Sequence, residues 1–63
     1  MNYYLYFVEG IAAREYLQGT NYVGIWADDP FEARKNITKY FAKGTPITEV
    51  PQSQVQGSIG YLY

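Results

Sequence analysis

Neither a disulfide bond nor the commonest kinds of zinc site can stabilise this chain, because its 63 residues include no Cys and no His. A hydrophobic core of this size rarely supplies more than about 3–5 kcal/mol of folding free energy by itself. Dense aromatic packing or association with another chain must compensate. The sequence offers eight Tyr, three Phe and one Trp for either purpose. We expect a single domain spanning residues 1–63.

Residues 2–9 and 22–27 have the composition and alternation of β-strands. The first strand carries aromatic or aliphatic side chains on both faces: Tyr3, Leu5 and Phe7 on one, Tyr4, Tyr6 and Val8 on the other. The second strand divides in the same way: Tyr22, Gly24 and Trp26 against Val23, Ile25 and Ala27. A strand with two apolar faces is usually central or covered on both sides.

Residues 11–18 fit two structures. Ala12, Ala13, Tyr16 and Leu17 have helical spacing, and Gly19 stands where a C′ glycine would end a short helix. The same residues also alternate as a strand would, with a hairpin turn over residues 18–21. The sequence alone does not decide between them.

The clearest local signal is a helix start at residues 29–32. Asp29 is a suitable N-cap, Pro30 suits the first helical position, and Glu32 completes a capping box. The apolar spacing that follows, with Gly44 as the stop, predicts a helix over residues 30–43. Because Asp28 and these two acids fit a capping arrangement, we predict no metal site there.

The rest of the chain predicts a short edge strand within residues 45–50 and a last strand over residues 58–63. The fold class is therefore α+β: a small antiparallel sheet of three to four strands with one helix packed across one face.

Charge and motifs exclude several functions. The formal net charge is −1, which lacks the basic excess of a general DNA-binding protein. We see no phosphate-binding loop or nucleophile elbow and predict no enzymatic activity and no cofactor. The N-terminal apolar run is too short for a membrane span and lacks the basic start of a signal peptide, so we expect a cytoplasmic protein that does not bind membranes.

The tyrosines and one basic helix face are the candidate contact groups. Tyr is enriched in protein interfaces and can also stack on unpaired bases. Lys35, Lys39 and Lys43 would recur along one face of the predicted helix, as a solvated face or an anion contact. The interaction candidates are Tyr4, Tyr6, Tyr22, Trp26, Tyr61, Tyr63, Lys35, Lys39 and Lys43.

The sequence favours a small non-enzymatic binding protein that acts by protein–protein contact as a homo-oligomer, and that binds a further protein partner. The alternative is a single-stranded nucleic-acid or nucleotide binder that uses Tyr stacking and the basic helix face. By analogy, compact chains of this type include inhibitors of host proteins encoded by phages or mobile elements.

Overall fold

The computed structural model describes residues 1–62 and has a four-stranded sheet with helices on one side. The elements in chain order are β1 (Asn2–Val8), α1 (Ile11–Tyr16), β2 (Tyr22–Ala27), α2 (Pro30–Thr38), β3 (Ile47–Glu49), a 3₁₀ turn (Gln52–Gln54) and β4 (Gly60–Tyr61). The predicted α+β class is confirmed. No helix in the described part of the chain is long and apolar enough to cross a membrane.

The strand order is β3-β1-β2-β4, and the sheet is mixed. β1 pairs antiparallel with both β2 and β3, in agreement with the predicted antiparallel sheet, whereas β4 pairs parallel with β2, which was not predicted. The parallel pair follows from the topology. Because β3 and β4 run in the same direction at opposite edges, residues 50–59 must cross the sheet and cannot form a hairpin.

The core lies between the helices and one face of the sheet. Tyr6 and Val8 of β1 and Val23 of β2 are at most 2% exposed and pack with Ala33 and Ile37 of α2. Ala13 of α1 is also in this cluster, and Tyr4, Leu17, Phe41 and Leu62 pack at its margin. The predicted alternation in β1 and β2 is confirmed, and the helices cover the face that carries Tyr4, Tyr6 and Val8.

Residues 11–16 form a helix, which decides the open question in favour of the helical pattern. Its end is a Schellman motif: the Gly19 amide donates to the Arg14 carbonyl at 2.8 Å, and the Gln18 amide donates to the Glu15 carbonyl at 3.1 Å. The C′ residue is therefore Gln18, with φ 63°, and not Gly19 as the sequence suggested. This short helix is an addition to the single helix that was predicted.

The predicted start of α2 is confirmed, because the Asp29 carboxylate accepts a 2.7 Å hydrogen bond from the Glu32 amide. Its predicted end at residue 43 is wrong: the helix ends at Thr38, with Lys39 as C-cap. Thr38 donates its hydroxyl proton to the Lys35 carbonyl, and the Tyr40 amide bonds to the Ile37 carbonyl in 3₁₀ fashion. Such local bonds tighten the last turn and compete with continuation of the helix.

Candidate interaction surface

The sheet face opposite the helices is covered largely by aromatic side chains. We call it the aromatic face and define it by six residues: Tyr3, Leu5 and Phe7 of β1, Tyr22 and Trp26 of β2, and Tyr61 of β4. The strand register places Tyr3 opposite Trp26 and Phe7 opposite Tyr22, while Tyr61 lies beside Gly24. None of the six carries a formal charge at neutral pH.

Three rings form one cluster at the open end of this face. The ring centroid of Tyr3 lies 5.2 Å from that of Trp26 and 6.4 Å from that of Tyr61. Trp26 is 58% exposed and Tyr61 is 53% exposed. A cluster of this kind offers a large apolar contact area with hydroxyl groups available for hydrogen bonding.

Gly24 makes this arrangement possible. A Cβ atom at Gly24 would lie 2.8 Å from Cε1 and Cζ of Tyr3, which is closer than van der Waals contact allows. The Tyr3 ring therefore lies directly over the backbone of β2, between its two aromatic neighbours. The Gly in the middle of β2 is explained by this close approach.

The other end of the aromatic face is closed by the crossing segment, residues 50–59. The rings of Phe7 and Tyr22 pack edge to face with a centroid distance of 5.2 Å. The Tyr22 hydroxyl donates to the Gln54 carbonyl at 3.5 Å, and the Thr20 hydroxyl donates to the Ser58 carbonyl at 2.6 Å. The exposed part of the face is thus the end that carries Tyr3, Trp26 and Tyr61.

The environment of Tyr3 favours its neutral form. Burial, followed by the hydrogen-bonded and electrostatic influence of Tyr61, raises the pKa of Tyr3 to about 12. Tyr3 consequently stays uncharged throughout the physiological pH range. An uncharged surface of this kind can be removed from water without the desolvation cost of a buried ion.

The three lysines of the predicted basic row do not share one helix face. Lys35 borders a shallow groove with Phe31 on α2, and Lys39 borders a cleft with Trp26. Lys43 lies beyond the end of α2 and borders a third groove near Phe41 and Ile47. The placement of Lys43 on the helix was wrong, because α2 ends before it.

The predicted tyrosines fall in different places. Tyr6 is 2% exposed and donates its hydroxyl to the Pro30 carbonyl at 3.4 Å, while Tyr4 packs at the margin of the core. Neither belongs to the aromatic face, whereas Tyr22, Trp26 and Tyr61 do. The prediction for Tyr63 lies outside the described residues.

Tyr3 and Phe7 belong to the aromatic face but were absent from the predicted contact residues. The signal was present in the sequence, because both alternate with Tyr4 and Tyr6 along β1. What was missing was knowledge of which face the helices cover.

Neither a metal site nor a relative points to a function for this chain. Within residues 1–62, no three carboxylates converge as metal ligands would, and the Asp29 carboxylate is occupied by its capping bond. No protein family, no curated protein and no solved structure matches this chain.

Proposed function

We propose that this chain is a small binding protein that acts by protein–protein contact through its aromatic face, and that the first partner of this face is the same face on a second copy. The observation that carries the proposal is the exposed cluster of Tyr3, Trp26 and Tyr61 on an uncharged sheet surface. Trp and Tyr are the residues that most often dominate the energy of protein interfaces. Apolar patches of appreciable size on soluble proteins commonly mark such sites.

The absence of charge on the aromatic face suits a two-fold dimer. In a two-fold dimer the same patch of both subunits meets at the interface, so any charged side chains on the patch would face like charges and repel them. The aromatic face avoids this repulsion because its six residues are uncharged.

The alternative, binding of single-stranded nucleic acid, requires cations that follow the phosphates beside the stacking rings. All five Lys and Arg side chains lie outside the strands that form the aromatic face. Arg34 is engaged elsewhere, since it donates to the Ile47 carbonyl at 2.7 Å. This separation of rings from cations is why we favour protein contact.

The biological setting that we propose is the cytoplasm, where the same surface would engage a target protein. Inhibition of a host protein by a phage or mobile-element product is one form of such contact. This part of the proposal rests on the analogy with other compact contact proteins and not on a specific residue.

Light scattering on a sizing column tests the proposal. The parent protein is expected to elute as a dimer at micromolar concentration, and the double variant Tyr3→Lys, Tyr61→Lys as a monomer, because four lysines would meet at the interface. Phe31→Lys is the matched control: Phe31 is an exposed aromatic residue, 81% accessible, on α2 and away from the aromatic face. It should leave the dimer intact.

A monomeric parent protein would contradict the self-association. Salt dependence separates the remaining alternatives. Contact between apolar faces should persist as salt rises, whereas affinity for a single-stranded oligonucleotide should fall steeply.

A further inference from the structure

A cleft lies around the edge of β2, where α2 ends. It has a volume of about 460 Å³, which is within the roughly 300–1,000 Å³ range of small-molecule sites. Among the described residues, β4 pairs with β2 at Val23 and Gly24, so the neighbouring Ile25 and Trp26, which pair with β1 on their other side, border the cleft on this edge. The cleft is distinct from the aromatic face, although Trp26 contributes to both.

The walls of the cleft are mainly apolar and aromatic. Ile25, Trp26 and Leu62 border it from the sheet side, and Tyr40 borders it from the segment after α2. The rings of Trp26 and Tyr40 offer π surfaces of the kind on which a flat aromatic molecule stacks. The lining therefore favours a planar aromatic ligand over an extended aliphatic one.

Two polar side chains at the C-terminal end of α2, one in its last turn and one at its C-cap, border the same cleft. They are the Lys39 ammonium and the Asn36 carboxamide, which are three residues apart and so lie on the same side of the helix. Neither side chain makes a hydrogen bond or ion pair with another residue of the described chain. A cleft with apolar walls and a few convergent polar groups is the usual composition of a ligand site.

The charge of the cleft favours an anion. No Asp or Glu side chain among residues 1–62 borders it, and the acids Asp28, Asp29 and Glu32 lie at the opposite end of α2. The carbonyl groups at the C-terminal end of a helix carry about half a negative charge, which the full positive charge of Lys39 exceeds. An anionic group on the ligand would be placed at Lys39 and a hydrogen-bonding ring edge at Asn36.

We propose that this cleft binds a planar aromatic molecule that carries one anionic group. Trp26 stacks on the ring, Lys39 pairs with the anion and Asn36 donates or accepts a hydrogen bond at the ring edge. An aromatic carboxylate and a nucleoside monophosphate share this chemistry. The cleft is formed within one chain, but Trp26 also belongs to the aromatic face, so ligand stacking and self-association would share this residue.

The fluorescence of Trp26 provides a direct test, because it is the only Trp in the sequence. The full-length protein is titrated with two matched pairs of probes, benzoate with benzamide and 5′-AMP with adenosine. We expect a saturable change in Trp26 emission with at least one anionic probe, and an affinity about tenfold weaker for its uncharged counterpart. The pair that shows the preference identifies the class of ligand.

Two lysine variants show whether the signal comes from this cleft. Lys39→Gln should lower the affinity for the anionic probe about tenfold and remove the preference over the neutral one. Lys43→Gln is the matched control, because Lys43 is also exposed but borders a different groove, and its affinity should equal that of the parent. Circular dichroism confirms that both variants are folded.

Three results would overturn the proposal. They are the absence of a saturable emission change with every probe, equal affinity for the anionic and neutral members of both pairs, and an affinity that Lys39→Gln leaves unchanged. Sedimentation or light scattering of the same samples shows whether the protein is a dimer. Loss of ligand binding and loss of self-association are thus detected by different measurements.

Discussion

At the scale of single residues, backbone geometry explains two positions that composition leaves unexplained. Gly24 leaves room for the Tyr3 ring over β2, where any side chain would displace it. Gln18 has a left-handed backbone conformation, with φ 63°, at the end of α1. Glycine adopts this conformation without steric cost, whereas a residue with a Cβ atom does so at a cost of about 1 kcal/mol.

Replacement of Gln18 by glycine should therefore stabilise the protein. Gln18→Gly relieves the left-handed strain but gives the unfolded chain more freedom, so we expect a net gain of about 0.5 kcal/mol. Thermal unfolding measures it. Gln56→Gly is the control: Gln56 is exposed like Gln18 but does not have a positive φ, so glycine there should give no gain. A lower melting temperature for Gln18→Gly would contradict the role assigned to this position.

Tyr3 should make the stability of the protein sensitive to alkaline pH. Burial and the neighbouring Tyr61 raise the pKa of Tyr3 from 10.0 to about 12, so the folded state holds this proton more tightly than the unfolded state. The stabilisation is complete below pH 10 and is lost as the pH rises towards 12.

Urea unfolding across this pH range checks the effect. The free energy of unfolding should fall more steeply with pH in the parent protein than in Tyr3→Phe, which has no hydroxyl to ionise. The variant should retain part of the slope, because burial, with a smaller contribution from Glu49, also raises the pKa of Tyr6. Identical slopes in the two proteins would refute the assignment to Tyr3.

At the scale of elements, α2 shows how a helix can be specified more firmly at its start than at its end. Its N-terminus has a capping carboxylate, a Pro in the first turn and Glu32 in the first turn. Its C-terminus has the weak helix formers Asn36 and Thr38 and is tightened by the bond from the Thr38 hydroxyl to the Lys35 carbonyl. Because α2 ends at Thr38, Lys39 and Tyr40 follow the helix and border the cleft beside Trp26.

Loss of the cap should destabilise α2 and with it the fold. Asp29→Ala removes the 2.7 Å bond to the Glu32 amide, and we expect a loss of about 0.5–2 kcal/mol. Asp28→Ala is the matched control, because the Asp28 side chain makes no such bond and the Asn2 side chain contacts only its backbone carbonyl. Equal melting temperatures for the parent and Asp29→Ala would show that the cap contributes nothing.

At the scale of the whole molecule, the two faces of the sheet have different roles. One face supports the core beneath both helices, and the other carries the aromatic face, whose open end holds Tyr3, Trp26 and Tyr61. A domain of about 60 residues buries only about 60% of the surface of its unfolded chain. A partner on the aromatic face would therefore contribute to stability as well as to function.

The stability of a dimer depends on concentration. If two aromatic faces associate, the melting temperature of the parent should rise with protein concentration, because association stabilises only the folded chain. The variant Tyr3→Lys, Tyr61→Lys should lack this dependence, and Phe31→Lys should retain it. A parent melting temperature that is constant over a hundredfold range of protein concentration would contradict stabilisation by association of two aromatic faces.

Features that depend on neighbouring residues could be predicted from the sequence. The cap at Asp29 and the alternation along β1 and β2 rest on contacts and periodicities within a few positions, and all of them are found in the structure. The tertiary structure decided what depends on distant residues. Because β1 is apolar on both faces, only the packing of α1 and α2 shows that Tyr6 is buried and Tyr3 belongs to the aromatic face. The parallel pairing of β4 and the placement of Lys39 and Trp26 at one cleft likewise arise from contacts between segments far apart in the chain. The helical state of residues 11–16 is one of two structures that the local pattern allowed, and the structure decides between them.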